Sequence, residues 1–137
     1  MAVVEDLLVA AQDGTLSFGN YTLAEKKKID DFPFGGDLYK VKTFHEMTKL
    51  EKNGMFSYES VPGTSVIGWK EDADGVTFTV EGNEDAQIIV GLAEDTSYSV
   101  TIQGQPAGVM NTGLGGKLNL SVELAGIGEV PVVIKRA

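Results

Sequence analysis

Two short stretches of this 137-residue chain imitate known chemistry. Gly113-Leu114-Gly115-Gly116-Lys117 has the glycines and the lysine of a phosphate loop, in which backbone N–H groups cradle phosphates. The spacing fails, because the first glycine of that pattern would fall at Asn111 and the residue after Lys117 is Leu118, not Ser or Thr. A strand pattern also follows where a helix N-terminus is needed, so these are read as turn glycines. Asp72-Ala73-Asp74-Gly75, with Glu81 downstream, imitates a calcium loop, whose carboxylates converge on one hard cation. Its first ligand position is Lys70, a positive charge where a carboxylate should be. Asp-Gly at this place reads as hairpin chemistry.

The remaining reactive side chains are sparse. His45 is the only histidine and has the means to act as one general base, but transition-metal sites take two or three imidazoles, and its charged neighbours mark it as surface. Two carboxylates about 5 to 9.5 Å apart can cleave a glycosidic bond, yet such pairs arise by chance among 20 acidic residues. The aromatics near turns, Tyr21, Phe32, Phe34, Tyr39, Tyr58 and Trp69, are the one feature that leads toward function. Exposed ring faces stack on sugars and anchor protein partners. The competing reading makes Trp69 and most of the others core residues. The loop Phe32 to Tyr39 is the least explained by packing, so Phe32, Phe34, Tyr39, Tyr58 and Trp69 form the expected binding surface. No catalytic, cofactor-binding or metal-ligating residue is assigned, and no cofactor is expected.

The inventory excludes more than it suggests. Without Cys there is no thiolate nucleophile, zinc knuckle or structural disulfide. The only arginine is Arg136, so bidentate clamps on phosphate or carboxylate are lacking. A net charge of −9 argues against nucleic acid and anionic membranes as partners, since those affinities come from Lys and Arg. The run Lys26-Lys27-Lys28 precedes Asp30 and Asp31 and reads as a solvated segment. Neither a signal-peptide pattern nor a run of about 18 apolar residues occurs, which leads to the expectation of a soluble cytoplasmic protein.

Period-2 alternation dominates the elements that must carry these residues. Val76, Phe78 and Val80 alternate with threonines, as do Tyr98, Val100 and Ile102, and Leu118 to Leu124, with polar neighbours. Gln87 to Leu92 is apolar on both sides, which suits a central strand, and Val130 to Ile134 closes the chain. Turn signals at Asp74-Gly75, Gly82-Asn83, Gly104-Gln105-Pro106, Gly115-Gly116 and Gly126 to Gly128 separate about ten strands. Before them, Val3, Val4, Leu7, Leu8 and Ala11 repeat at helical spacing, which predicts a short helix over 2–12. Thr15 to Phe18 and Leu38 to Phe44 read as strands, and Asp30 to Asp37 as an irregular loop around Pro33 and Gly35-Gly36. Thr48 to Ser60 is a hairpin around Asn53-Gly54. A two-residue loop would set Leu50 opposite Ser57; a bulged turn pairing Leu50 with Phe56 and Thr48 with Tyr58 gathers the apolar residues better and is preferred. The fold class is mainly β: one domain over 1–137, an antiparallel β-sandwich, immunoglobulin-like in its second half, whose N-terminal part covers a sheet edge or open end.

Leu16 to Leu23, Gly36 to Phe44, Lys49 to Gly54 and Tyr58 to Thr64 resemble a family of small bacterial proteins of this length, some of which carry the name endosialidase. The resemblance extends over most of the chain, Gly115 to Leu118 included. The enzymatic name would imply an arginine cluster holding a sugar carboxylate, and this chain has one arginine; it reflects at most kinship with a phage-associated or accessory β domain. The expected function is therefore a non-enzymatic module acting through a protein partner or self-association. Carbohydrate binding through exposed aromatics is the alternative, and glycan hydrolysis the third reading.

Overall fold

The structure is a computed structural model that describes residues 3–137. Its thirteen strands are β1 (Leu8–Ala10), β2 (Leu16–Phe18), β3 (Lys27–Phe34), β4 (Asp37–Phe44), β5 (Met47–Lys52), β6 (Met55–Val61), β7 (Ser65–Asp72), β8 (Gly75–Glu81), β9 (Ala86–Gly91), β10 (Ser97–Ile102), β11 (Gln105–Asn111), β12 (Lys117–Val122) and β13 (Val130–Arg136). They form two antiparallel sheets, ordered β1-β2-β7-β8-β13-β10-β11 and β12-β9-β6-β5-β4-β3. The period-2 residues do what alternation requires: Val76, Phe78, Val80, Tyr98, Val100, Leu118, Leu120, Val122 and Leu124 all enter one core shared by the sheets. At its centre the Tyr58 ring of the second sheet meets Phe18, Trp69 and Phe78 of the first edge-to-face, with centroids 5.3, 5.7 and 5.7 Å away. In the C-terminal half the pairings nest: β8 with β13, β9 with β12, β10 with β11. Among the described residues no helix is long and apolar enough to cross a membrane.

The chain between β6 and β7 passes from one sheet to the other, and hydroxyls satisfy its buried backbone. Thr64 Oγ1 lies 2.7 Å from the Tyr58 hydroxyl and 2.8 Å from Ser60 Oγ. Thr48 Oγ1 donates to the Thr64 carbonyl at 2.7 Å, Thr43 Oγ1 accepts from Asn20 N at 2.9 Å, and Ser65 Oγ donates to the Gly19 carbonyl at 2.8 Å. Four separated segments, at Gly19-Asn20, Thr43, Thr48 and Tyr58 to Ser65, are thus joined at one corner.

Several sequence expectations are corrected. The helix over 2–12 is absent across the described residues; Ala2 lies outside them. Val4 and Leu7 form a turn, with Leu7 N donating to the Val4 carbonyl at 2.9 Å, and β1 pairs with β2 so that Leu8 sits opposite Phe18. A helix this short is marginal by itself, and both leucines reach the core through the turn and strand instead. Asp30 to Asp37 is not a loop: β3 runs to Phe34, interrupted by a bulge between Ile29 and Phe32, and turns at Gly35-Gly36. Pro33 is accommodated because β3 is an edge strand and its missing N–H costs no ladder bond. The Asn53-Gly54 hairpin starts with the two-residue turn, pairing Lys52 with Met55 and Glu51 with Phe56. A bulge at Ser57 then sets Leu50 opposite Tyr58, so neither uninterrupted register holds. The shift places Leu50 and Tyr58 together in the core. The N-terminal half is no cover: β3 to β6 make up four strands of the six-stranded sheet. Finally, β11 occupies residues where only turn signals were legible.

Candidate binding surfaces

Most of the expected aromatic surface lies inside the molecule. Tyr58 is fully enclosed and Trp69 is 3% exposed, with its Nε1 donating to Glu71 Oε1 at 2.9 Å. Tyr21 is also buried; its hydroxyl donates to Glu81 Oε2 at 2.9 Å, and burial together with that carboxylate pushes its pKa up to about 12. Phe32 and Phe34 are half-buried on the edge strand β3. Phe34, Tyr39 and Trp69 nevertheless meet, lining a shallow cleft of about 220 Å³ with Gly14, Asp37, Lys52, Lys70 and Glu71. Phe32 and Tyr58 do not join them.

This cleft is poorly suited to stacking. Tyr39 is 5% exposed and turns toward the core, with the Phe34 ring edge-on to it at 5.9 Å. Lys52 Nζ lies 3.7 Å from both Asp37 Oδ2 and Glu71 Oε2, so the local charges pair with one another. Burial, with Glu71 and Asp37 nearby, pushes the Tyr39 hydroxyl up to about 12, which keeps it protonated at neutral pH. The cleft offers ring edges and a saturated ion pair, without an open aromatic face.

The other reactive residues are equally occupied. The exposed His45 places Nδ1 3.1 Å from the Leu23 carbonyl oxygen and borders an apolar groove with Phe44, Met47, Val61 and Pro62. Asp72 closes the β7–β8 hairpin, its Oδ1 accepting from Asp74 N and Gly75 N at 2.7 and 3.1 Å, while Oδ2 meets Lys135 Nζ at 3.3 Å. Hydrogen bonds and Lys135 hold its carboxyl below the usual range. Arg136 Nε donates to the Ala73 carbonyl at 3.0 Å. Gly113 and Gly116 form a turn, with Gly116 N bonded to the Gly113 carbonyl at 3.3 Å.

A different surface emerges at the edge of the first sheet. From Thr96 to Gly116 no side chain is charged, although acidic and basic residues make up 23% of the chain. The segment's outer strand, β11, bonds only to β10, and every residue of it except Met110 is exposed. Val109 is 65% exposed and Leu114, in the turn that follows, 81%. Of the other three edges, β1 has only three residues, and β3 carries Lys27, Lys28, Asp30 and Asp31 together with its bulge and Pro33; β12, the remaining edge, is a regular strand that opens on the charged Lys117 and exposes no large apolar side chain. Sequence reasoning missed this flank because alternation and aromatic content were the signals followed; the charge-free run was the feature that would have found it. No family model, no curated protein and no solved structure matches this chain.

Proposed function

We propose that this chain is a non-enzymatic β-sandwich module that acts through protein contacts, using the flank of β11 and the turn after it. The observation that carries the reading is an exposed, uncharged strand edge on a protein of net charge −9. An open edge presents unpaired N–H and C=O groups to an incoming strand, and natural sheets blunt such edges when they are not used. Val109 and Leu114 add apolar surface beside it. The inward-turned Tyr39, Tyr58 and Trp69 leave a sugar without a platform, so the carbohydrate alternative draws no support from them. The nested pairs of the second half favour a jelly-roll type of winding over the immunoglobulin one, in which the pairs interleave between sheets.

A photo-crosslinking amino acid at Val109, compared with one at Met55, tests the reading in native cells. Met55 is 73% exposed on the unrelated β5–β6 hairpin. Protein adducts specific to position 109 are expected. Equal adducts at both positions, or none at 109, would remove the flank as the contact surface.

A further inference from the structure

We infer that the occupant of this flank is a second copy of the chain, paired edge to edge through Gly108–Asn111. The inference rests on the protein-contact reading and adds the identity of the partner. Two bodies of charge −9 repel, so copies meet most favourably where neither carries charge, and Thr96 to Gly116 is such a place. A basic partner would instead be met by carboxylates; β11 has none, and the exposed Glu94 and Asp95 lie beyond its end, beside the turn at Gly113. Self-pairing also needs no second sequence. Across a two-fold axis an antiparallel strand offers its copy the same row of donors and acceptors that it requires, an isologous contact.

The geometry limits where the pairing occurs. Pro106 and the register shift between Gly108 and Pro106 blunt the first half of β11. Gly108 to Asn111 stay in regular register with Val100 to Ser97, leaving a short straight edge with Val109 exposed on it. Because an isologous contact consumes the edge on both copies, association closes at two and does not propagate as a fibre.

The absence of cysteine gives a direct test. Purified full-length protein at high micromolar concentration is expected to run as a dimer by size exclusion with light scattering. Val109→Lys should yield a monomer with unchanged circular dichroism, whereas Met55→Lys should remain dimeric. Under mild oxidation Val109→Cys should give mostly disulfide-linked dimer, and Met55→Cys should not. A wild-type monomer at every concentration overturns the inference. So does a dimer that Val109→Lys leaves intact and Val109→Cys fails to link. If the purified protein is monomeric but position 109 still crosslinks to a different protein in cells, the contact reading stands and the second copy falls; if neither is seen, both fall.

Discussion

Gly63 shows how little space the passage between the sheets leaves. A Cβ there would overlap the Phe44 carbonyl oxygen and press on His45 backbone atoms, and neither rigid group can give way. Gly63→Ala should therefore cost about 3 kcal/mol in urea unfolding, the range of a backbone-level overpacking defect. Gly115, whose Cβ would meet open space, supplies the control: Gly115→Ala should stay within about 0.5 kcal/mol of wild type. A near-neutral Gly63→Ala would show that the corner yields more easily than its packing suggests. Trp69 makes the same point for large side chains. It packs against Phe18, Tyr58 and Phe78, so Trp69→Ala should destabilise by about 3 to 5 kcal/mol through the cavity it leaves. Emission of the native protein should be blue-shifted and poorly quenched by iodide. Red-shifted, readily quenched emission would place the ring in water and restore it as a binding group.

Hairpins organise the second sheet, and the Asn53-Gly54 turn is the one whose chemistry is most explicit. Both residues have positive φ, 52° and 77°, as a tight two-residue turn demands. The Asn53 side chain also accepts from Leu38 N at 2.9 Å and donates to Asp37 Oδ1 at 2.8 Å, tying this turn to the start of β4. Asn53→Ala loses both bonds and the residue best suited to that backbone, so it should cost about 1 to 2 kcal/mol, while Asn53→Gly should cost less by recovering the backbone freedom. Equal losses in chemical denaturation would assign the whole effect to the side-chain bonds. The place of the turn, though not its two-residue type, the alternating strands from Val76 onward and the interior position of β9, paired on both sides, were legible in the sequence, because each depends on local residue type and spacing. The bulge at Ser57 was not: it is set by the requirement that Leu50 and Tyr58 share the core, a demand from the opposite sheet. The short helix was misread for a related reason. Val4, Leu7 and Leu8 satisfy helical spacing as well as a turn followed by a strand, and pairing with β2 decides between them. Three of the five expected surface aromatics, Tyr39, Tyr58 and Trp69, face inward because exposure near a turn depends on which way the strand faces, and bulges reverse that direction.

Acidity and buried phenols together govern how the whole molecule responds to pH. Twenty carboxylates, spread over loops and both sheets, raise general repulsion as pH increases, while β11 itself carries no ionisable side chain. The tyrosines make the alkaline response steep. Burial raises Tyr21 and Tyr39 to about 12 and pushes Tyr58 up as well, because each would leave a phenolate in low dielectric or beside carboxylates. An unfolded tyrosine titrates near about 10. With the folded pKa raised, the folded state holds protons that the unfolded state releases. Their contribution to stability is therefore complete below about pH 10 and is lost as pH rises toward about 12. Absorbance at the phenolate band should accordingly rise together with loss of near-ultraviolet circular dichroism, as one transition. Tyr39→Phe removes one of these protons, and its hydroxyl makes no hydrogen bond to a side chain or backbone group among the described residues, so the change should shift that transition to higher pH while leaving stability at neutral pH within about 0.5 kcal/mol. If Tyr21, Tyr39 and Tyr58 all ionised near their ordinary value with the tertiary signal intact, the phenols would have to be reached by water in the native state, and the tightness of the shared core would be wrong.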